Sequence, residues 1–159
     1  MNNAEAAIIG VKIASKILEI PEPSVYFIES KNLPNKEITG LFIGKDYEII
    51  FNEEWVIKSP QIEVFITCFH EARHAYQLHS IKNGINESKE VLKQWEADFN
   101  SYSNPSGKNE PLADIDYLKQ SIEIDAIRFA HIQIKELFGV KTVIPEIIKE
   151  EIFKKQEEL

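Results

Sequence analysis

Cys68-Phe69-His70-Glu71-Ala72-Arg73-His74-Ala75-Tyr76 contains an uninterrupted His-Glu-x-x-His, and the reading of this stretch decides how the rest of the chain is read. On a helix, His70 and His74 project from one face, one turn apart, a spacing at which two imidazoles bind one zinc ion. Glu71 is rotated about 100° from His70, so its carboxylate flanks such a metal and reaches water beside it, as a general base must. Ile62, Phe65, Ile66, Phe69, Ala72 and Tyr76 recur at three- and four-residue steps, an apolar stripe that predicts the helix. The two histidines border that stripe, at the edge of a core. Two other readings use the same letters. One is a solvated histidine pair; the other is Glu71-x-x-His74 as half of a di-iron bundle site. The di-iron architecture needs two such pairs, and no other Glu stands three residues before a His.

Outward from this helix, Ser59-Pro60 predicts its start, with Ser as N-cap and Pro at the first helical position, and Gly84 lies beyond its end near His79 or Ser80. Upstream, Val25-Tyr26-Phe27-Ile28, Thr39-Gly40-Leu41-Phe42-Ile43 and Tyr47-Glu48-Ile49-Ile50-Phe51 are short β-branched and aromatic runs. Asn32-Leu33-Pro34-Asn35 and Gly44-Lys45-Asp46 separate them as turns. They predict a small, mostly antiparallel sheet with at least one hairpin, one edge of which could accept an extended peptide or simply cover the helix. Before them, Asn3 to Glu19 has helical periodicity, stopped by Pro21 and Pro23. Downstream, Ser88 to Tyr102 predicts a helix and Asn104 to Asn109 a loop. A last long helix is expected from near Leu112 to Phe138 with Gly139 as terminator. Ile144-Pro145-Glu146 opens a short terminal helix that ends in an exposed, charged tail. The expected fold is α+β, a single domain over 1–159 in which the sheet packs on the metal helix and several further helices.

A third ligand is sought on the last long helix. Glu123 is followed by Ala126 and Ala130, a small-residue surface where another helix can approach closely. Glu123 and Asp125 stand about 200° apart around a helix, so only one faces the metal; Glu123 is the choice and Asp125 the alternative. His131 is read as a supporting or structural residue, and His79 as a surface one.

Composition narrows the function. A hydrophobic fraction of 43% with 28% charged residues is that of an ordinary soluble domain. Formal net charge is -8 with no basic run, which argues against direct nucleic-acid binding. Cys68 is the only cysteine, so no intrachain disulfide forms, and its place two residues before His70 suits a buried structural thiol. No export signal and no stretch approaching about 20 apolar residues is found. A cytoplasmic protein without a membrane anchor is expected.

His70-Glu71-x-x-His74 together with Glu123-x-x-Ala126-x-x-Phe129-Ala130 resembles the gluzincin arrangement of small bacterial and phage-borne metallopeptidases, and within it the ImmA/IrrE-type group. The resemblance covers roughly residues 40 to 135. It implies a zincin-like fold, Zn²⁺ held by His70, His74 and Glu123, Glu71 as catalytic base, and hydrolysis of a peptide bond in a protein or peptide substrate. In one respect the chain departs from that group. Its members often carry Asn or Asp four residues after the third ligand, where this chain has Ile127, so support for a ligand must come from Asp125 or elsewhere. Oxyanion donors are sought among Tyr76, Tyr102, Tyr117, Arg73 and His131. Two rival classes stand beside the enzyme: a zincin-fold binding or regulatory module without turnover, against which the intact Glu71 speaks, and a metal-free all-helical interaction protein, against which the strand runs speak.

Overall fold

The computed structural model of the chain describes residues 1–106 and 114–157. In chain order it forms α1 (Asn3–Leu18), β1 (Ser24–Ile28), β2 (Gly40–Ile43), β3 (Glu48–Asn52), α2 (Glu53–Lys58), α3 (Gln61–Asn83), α4 (Lys89–Asn100), α5 (Ile115–Leu118), α6 (Ser121–Phe138) and α7 (Lys149–Glu157). The architecture is α+β, as expected. Local chemistry sets many of the boundaries. Asn2 accepts from the Glu5 amide at 2.8 Å while the Glu5 carboxylate accepts from the Asn2 amide at 3.0 Å, a reciprocal cap that starts α1. Gly84 and Gly139 end α3 and α6 in the left-handed conformation.

The sheet corrects one expectation. Strand order is β1-β3-β2, with β2 and β3 an antiparallel hairpin but β1 and β3 parallel, so the sheet is mixed rather than mostly antiparallel. Parallel neighbours need a long connection, and residues 29–47 supply it while folding β2 back along the far side of β3. Asn52 stitches this arrangement together: its side-chain amide donates to Lys36 O and Ile38 O, and its oxygen accepts from the Trp55 amide.

Three helix boundaries also differ. Asn52 caps α2, a helix not expected from the sequence; Ser59 ends that helix, so α3 begins at Gln61, with Pro60 at its N-cap and no side-chain cap. The last long helix begins at Ser121, because the chain breaks after the short α5 at Lys119 and Gln120; the expected start near Leu112, like residues 107–109 of the expected loop, lies outside the described residues. At the C-terminus, Ile148 and Ile152 are fully buried against Leu118, Ile124 and Ile144, so α7 is a packed element.

α3 is the centre of the molecule. The sequence stripe predicted one apolar face, but Glu71, His74, Gln77 and Ser80 are buried along with Phe65, Phe69, Ala72 and Ala75, because neighbours cover several sides of the helix. On one side lies α1, whose Gly10 has no room for a side chain: a Cβ there would stand 2.8 Å from Cys68 Sγ. On another lies α6, contributing Ile122, Ala126, Phe129, Ala130 and Ile134 to the core. The sheet completes the enclosure through Ile49 and Phe51, both fully buried. Truncating a large core side chain such as Phe69 would cost about 3–5 kcal/mol.

Candidate metal centre

Helical spacing puts His70 and His74 on one face of α3, and the close seam with α6 brings Glu123 opposite them. His70 Nε2 lies 3.0 Å from Glu123 Oε2, His74 Nε2 lies 3.1 Å from Glu123 Oε1, and the two Nε2 atoms are 3.1 Å apart. In a tetrahedral site with bonds of about 2.0–2.1 Å, adjacent ligand atoms are about 3.3 Å apart, so these three side chains could hold a metal ion with little adjustment. Two imidazoles and a carboxylate are a donor set that suits zinc among other divalent metals. Glu123 is the third member, and Asp125 is not: it points the other way, into a bidentate pair with Arg73 at 2.7 and 3.1 Å.

Electrostatics couple the group tightly. Burial by itself would raise the fully buried Glu123 carboxyl, but the facing imidazoles of His74 and His70 outweigh it and hold the pKa well below the usual range. Burial likewise disfavours a charged His74, and the Glu123 carboxylate overrides it, lifting the pKa to about 9. Tyr102 donates to Glu123 Oε1 at 2.6 Å. Burial, followed by the Glu123 charge, pushes the hydroxyls of both Tyr102 and Tyr117 well above the usual phenol value. Both therefore remain hydrogen-bond donors at neutral pH.

Beneath His70, His74 and Glu123 runs a second row that sequence reasoning missed in part. Gln77, fully buried, accepts at Oε1 from His74 Nδ1 at 2.9 Å; its amide nitrogen donates to Ile122 O at 2.9 Å and to Asp125 Oδ2 at 2.8 Å. Asp125 is held in turn by Arg73, whose guanidinium also stacks 4.2 Å over the Tyr76 ring. A polar partner for His74, absent at Ile127, is thus Gln77 backed by Asp125. The available signal was position: Gln77 stands three residues after His74, on the same helix face.

Above these three side chains is a cavity of ≈ 650 Å³, walled by β2, by Ile66 and Thr67 of α3, by Phe99 and Tyr102, and by Tyr117 and Leu118. His70, Glu71, His74 and Glu123 open onto it. Gly40 lets the edge strand β2 pass close to Glu71: a Cβ there would stand 2.7 Å from Thr67 Cγ2 and 3.4 Å from Glu71 Cγ. Of the five oxyanion candidates, Tyr102 and Tyr117 line the cavity. Tyr76 donates to Glu87, Arg73 serves Asp125, and His131 binds Thr142 in a separate depression. Cys68 is buried, as expected, and its thiol donates to Ala7 O at 3.3 Å. Among the described residues no helix is long and apolar enough to cross a membrane. No family model, curated protein or solved structure matches the chain.

Proposed function

We propose that the chain is a zinc metallopeptidase of the gluzincin type, resembling the ImmA/IrrE-type group, which hydrolyses a peptide bond in a protein substrate in the cytoplasm. The observation that carries this reading is the convergence of His70, His74 and Glu123 to within 3.0–3.1 Å, with Glu71 opening onto the same cavity beside an edge strand. His70, His74 and Glu123 would hold the ion. When bound, zinc supplies a Lewis acid that polarises a carbonyl and lowers the pKa of water toward about 7.

The chain's own residues do the rest. Glu71 takes the proton of the attacking water and delivers it to the leaving amine. Protonated phenols at Tyr102 and Tyr117 line the cavity wall, and either can donate to negative charge developing on the carbonyl oxygen once its hydroxyl turns from Glu123. β2 is paired only on its β3 side among the described residues, so its outer edge can hydrogen-bond an extended peptide and lay it across Glu71.

Glu71→Gln tests the reading. The amide cannot accept a proton, so the variant is expected to keep one zinc per chain and its fold while losing about 10²- to 10⁴-fold in turnover. A partner trapped by the variant and identified after co-purification should be cut by the parent chain. Equal turnover by variant and parent would overturn the mechanism, and a trapped partner that the parent binds but never cleaves would favour a binding module.

A further inference from the structure

A buried histidine ligand binds well only when its other ring nitrogen is held. For His74 that holder is a single side chain, and its orientation is fixed from three directions. Gln77 Nε2 faces two acceptors, the Ile122 carbonyl at 2.9 Å and Asp125 Oδ2 at 2.8 Å, so the nitrogen of the amide must lie on that side. Asp125 accepts from Arg73 at both oxygens, and those bonds keep its carboxylate an acceptor. The amide oxygen of Gln77 is therefore the atom that faces His74 Nδ1 at 2.9 Å, and it can only accept. His74 must carry a proton on Nδ1 and present Nε2 toward Glu123 and His70.

Ile122 adds a second consequence. It immediately precedes Glu123, so the same amide that orients the α3 ligand also grips the backbone from which the α6 ligand springs. A fully buried glutamine at a helix–helix contact is otherwise an expensive placement, since an unmade hydrogen bond there costs about 1–3 kcal/mol. We propose that Gln77 is the positioning residue of the metal centre: it selects the Nδ1–H form of His74 and fixes the spacing between His74 and Glu123, with Asp125 and Arg73 setting its orientation. This rests on the reading of His70, His74 and Glu123 as a zinc site, and it assigns to Gln77 the support that a polar residue at position 127 would give.

The experiment uses the full chain loaded with zinc. Competition against a chromophoric chelator gives the zinc dissociation constant of the parent, Gln77→Leu, Gln77→Met and Tyr76→Phe. The last deletes a hydroxyl on the same helix that serves Glu87 and not the site. Nitrogen-15 NMR of the zinc-loaded parent reads which nitrogen of His74 bears the proton. The expected results are a slowly exchanging Nδ1–H in the parent, a 10- to 100-fold weaker zinc complex in Gln77→Leu and Gln77→Met, faster exchange of that proton in both, and no change in Tyr76→Phe. Parent-like affinity and an unchanged His74 signal in a folded Gln77 variant overturn the proposal. So does zinc on Nδ1 of His74 in the parent, a measurement that needs no variant. A parent chain that takes up no zinc overturns the underlying metal reading instead, so the two failures are told apart.

Discussion

α3 has two long seams, and they differ in kind. Against α1 it is dry: Ala6, Ala7, Val11 and Ala14 pack on Phe65, Cys68, Phe69 and Ala72, and the helices approach closely enough that Gly10 touches Cys68. Against α6 the same helix buries Glu123, Gln77 and His74 beside the Arg73–Asp125 pair. A dry seam is favoured by area removed from water. A polar seam loses hydration on both sides and recovers it only when each donor finds its acceptor. The α6 seam meets that demand almost completely: Glu123, His74, Gln77 and Asp125 each have a partner at 2.6–3.1 Å. Packing explains the first seam by itself; the second is intelligible as a site.

The largest effect should come from breaking the polar seam at one partner only. Arg73→Met leaves the Asp125 carboxylate without its cation and with the Gln77 amide as its remaining donor, a loss of about 3 kcal/mol, at the lower end for buried pairs because both side chains keep some solvent contact. Urea unfolding of the metal-free chain measures it. Zinc binding separates this role from ligation: Asp125→Asn should retain one zinc per chain, and Glu123→Gln should not. The reverse pattern would mean that the ligand has been misassigned.

The two seams were not equally legible before folding. His70, His74 and Glu71 announce themselves because their relation is local, four residues within one helix. Glu123 was found because Ala126 and Ala130 leave space beside it. Gln77 carried only a positional signal, three residues after His74, and that was not enough, since a glutamine on a helix is ordinarily solvated and its burial depends on where α6 arrives, 45 residues later for its bond to Ile122. The parallel pairing of β1 with β3 was hidden for the same reason: hydrophobic runs show that strands exist but not which neighbour each selects. Ser59-Pro60 misled because Asn52 offered a competing cap a few residues earlier, and a helix start signal does not say which helix it serves.

The dry seam gives a smaller and more local prediction. Gly10→Ala gains helix propensity of about 1 kcal/mol, yet the new methyl meets Cys68 Sγ at 2.8 Å, Cys68 Cβ at 2.9 Å and Phe65 Cδ1 at 3.0 Å. Overpacking of this kind costs about 1–3 kcal/mol, so a net loss of about 1 kcal/mol is expected. Cys68→Ala removes the nearest of the three atoms, and the double variant should be more stable than the sum of the singles by at least about 0.5 kcal/mol. Strict additivity would show that α1 shifts as a rigid body and that the seam is looser than its distances suggest. Zinc affinity should not change in either variant, since neither residue touches the site.

The smallest effect tests whether full satisfaction of polar atoms is special to the α6–α3 seam. Arg128 lies on the same helix as Glu123 but turns toward α7, where its Nε donates to Ile152 O at 3.4 Å and one terminal nitrogen has no hydrogen-bond partner among the described residues. It is nearly as buried as His74, yet its charge is compensated by a long bond to a carbonyl and the field of Asp125 rather than by a close ion pair among the described residues. Replacing such a group by an apolar one of similar length is commonly neutral or stabilising. Arg128→Met should therefore change unfolding free energy by between zero and about +1 kcal/mol and leave zinc binding untouched, in contrast to Arg73→Met, which removes the same charge from a bidentate pair with Asp125. A loss of more than about 1 kcal/mol in urea unfolding would mean that the Ile152 contact holds α7 in place, and the contrast between a polar seam built for a metal and a polar residue merely tolerated in a core would fail.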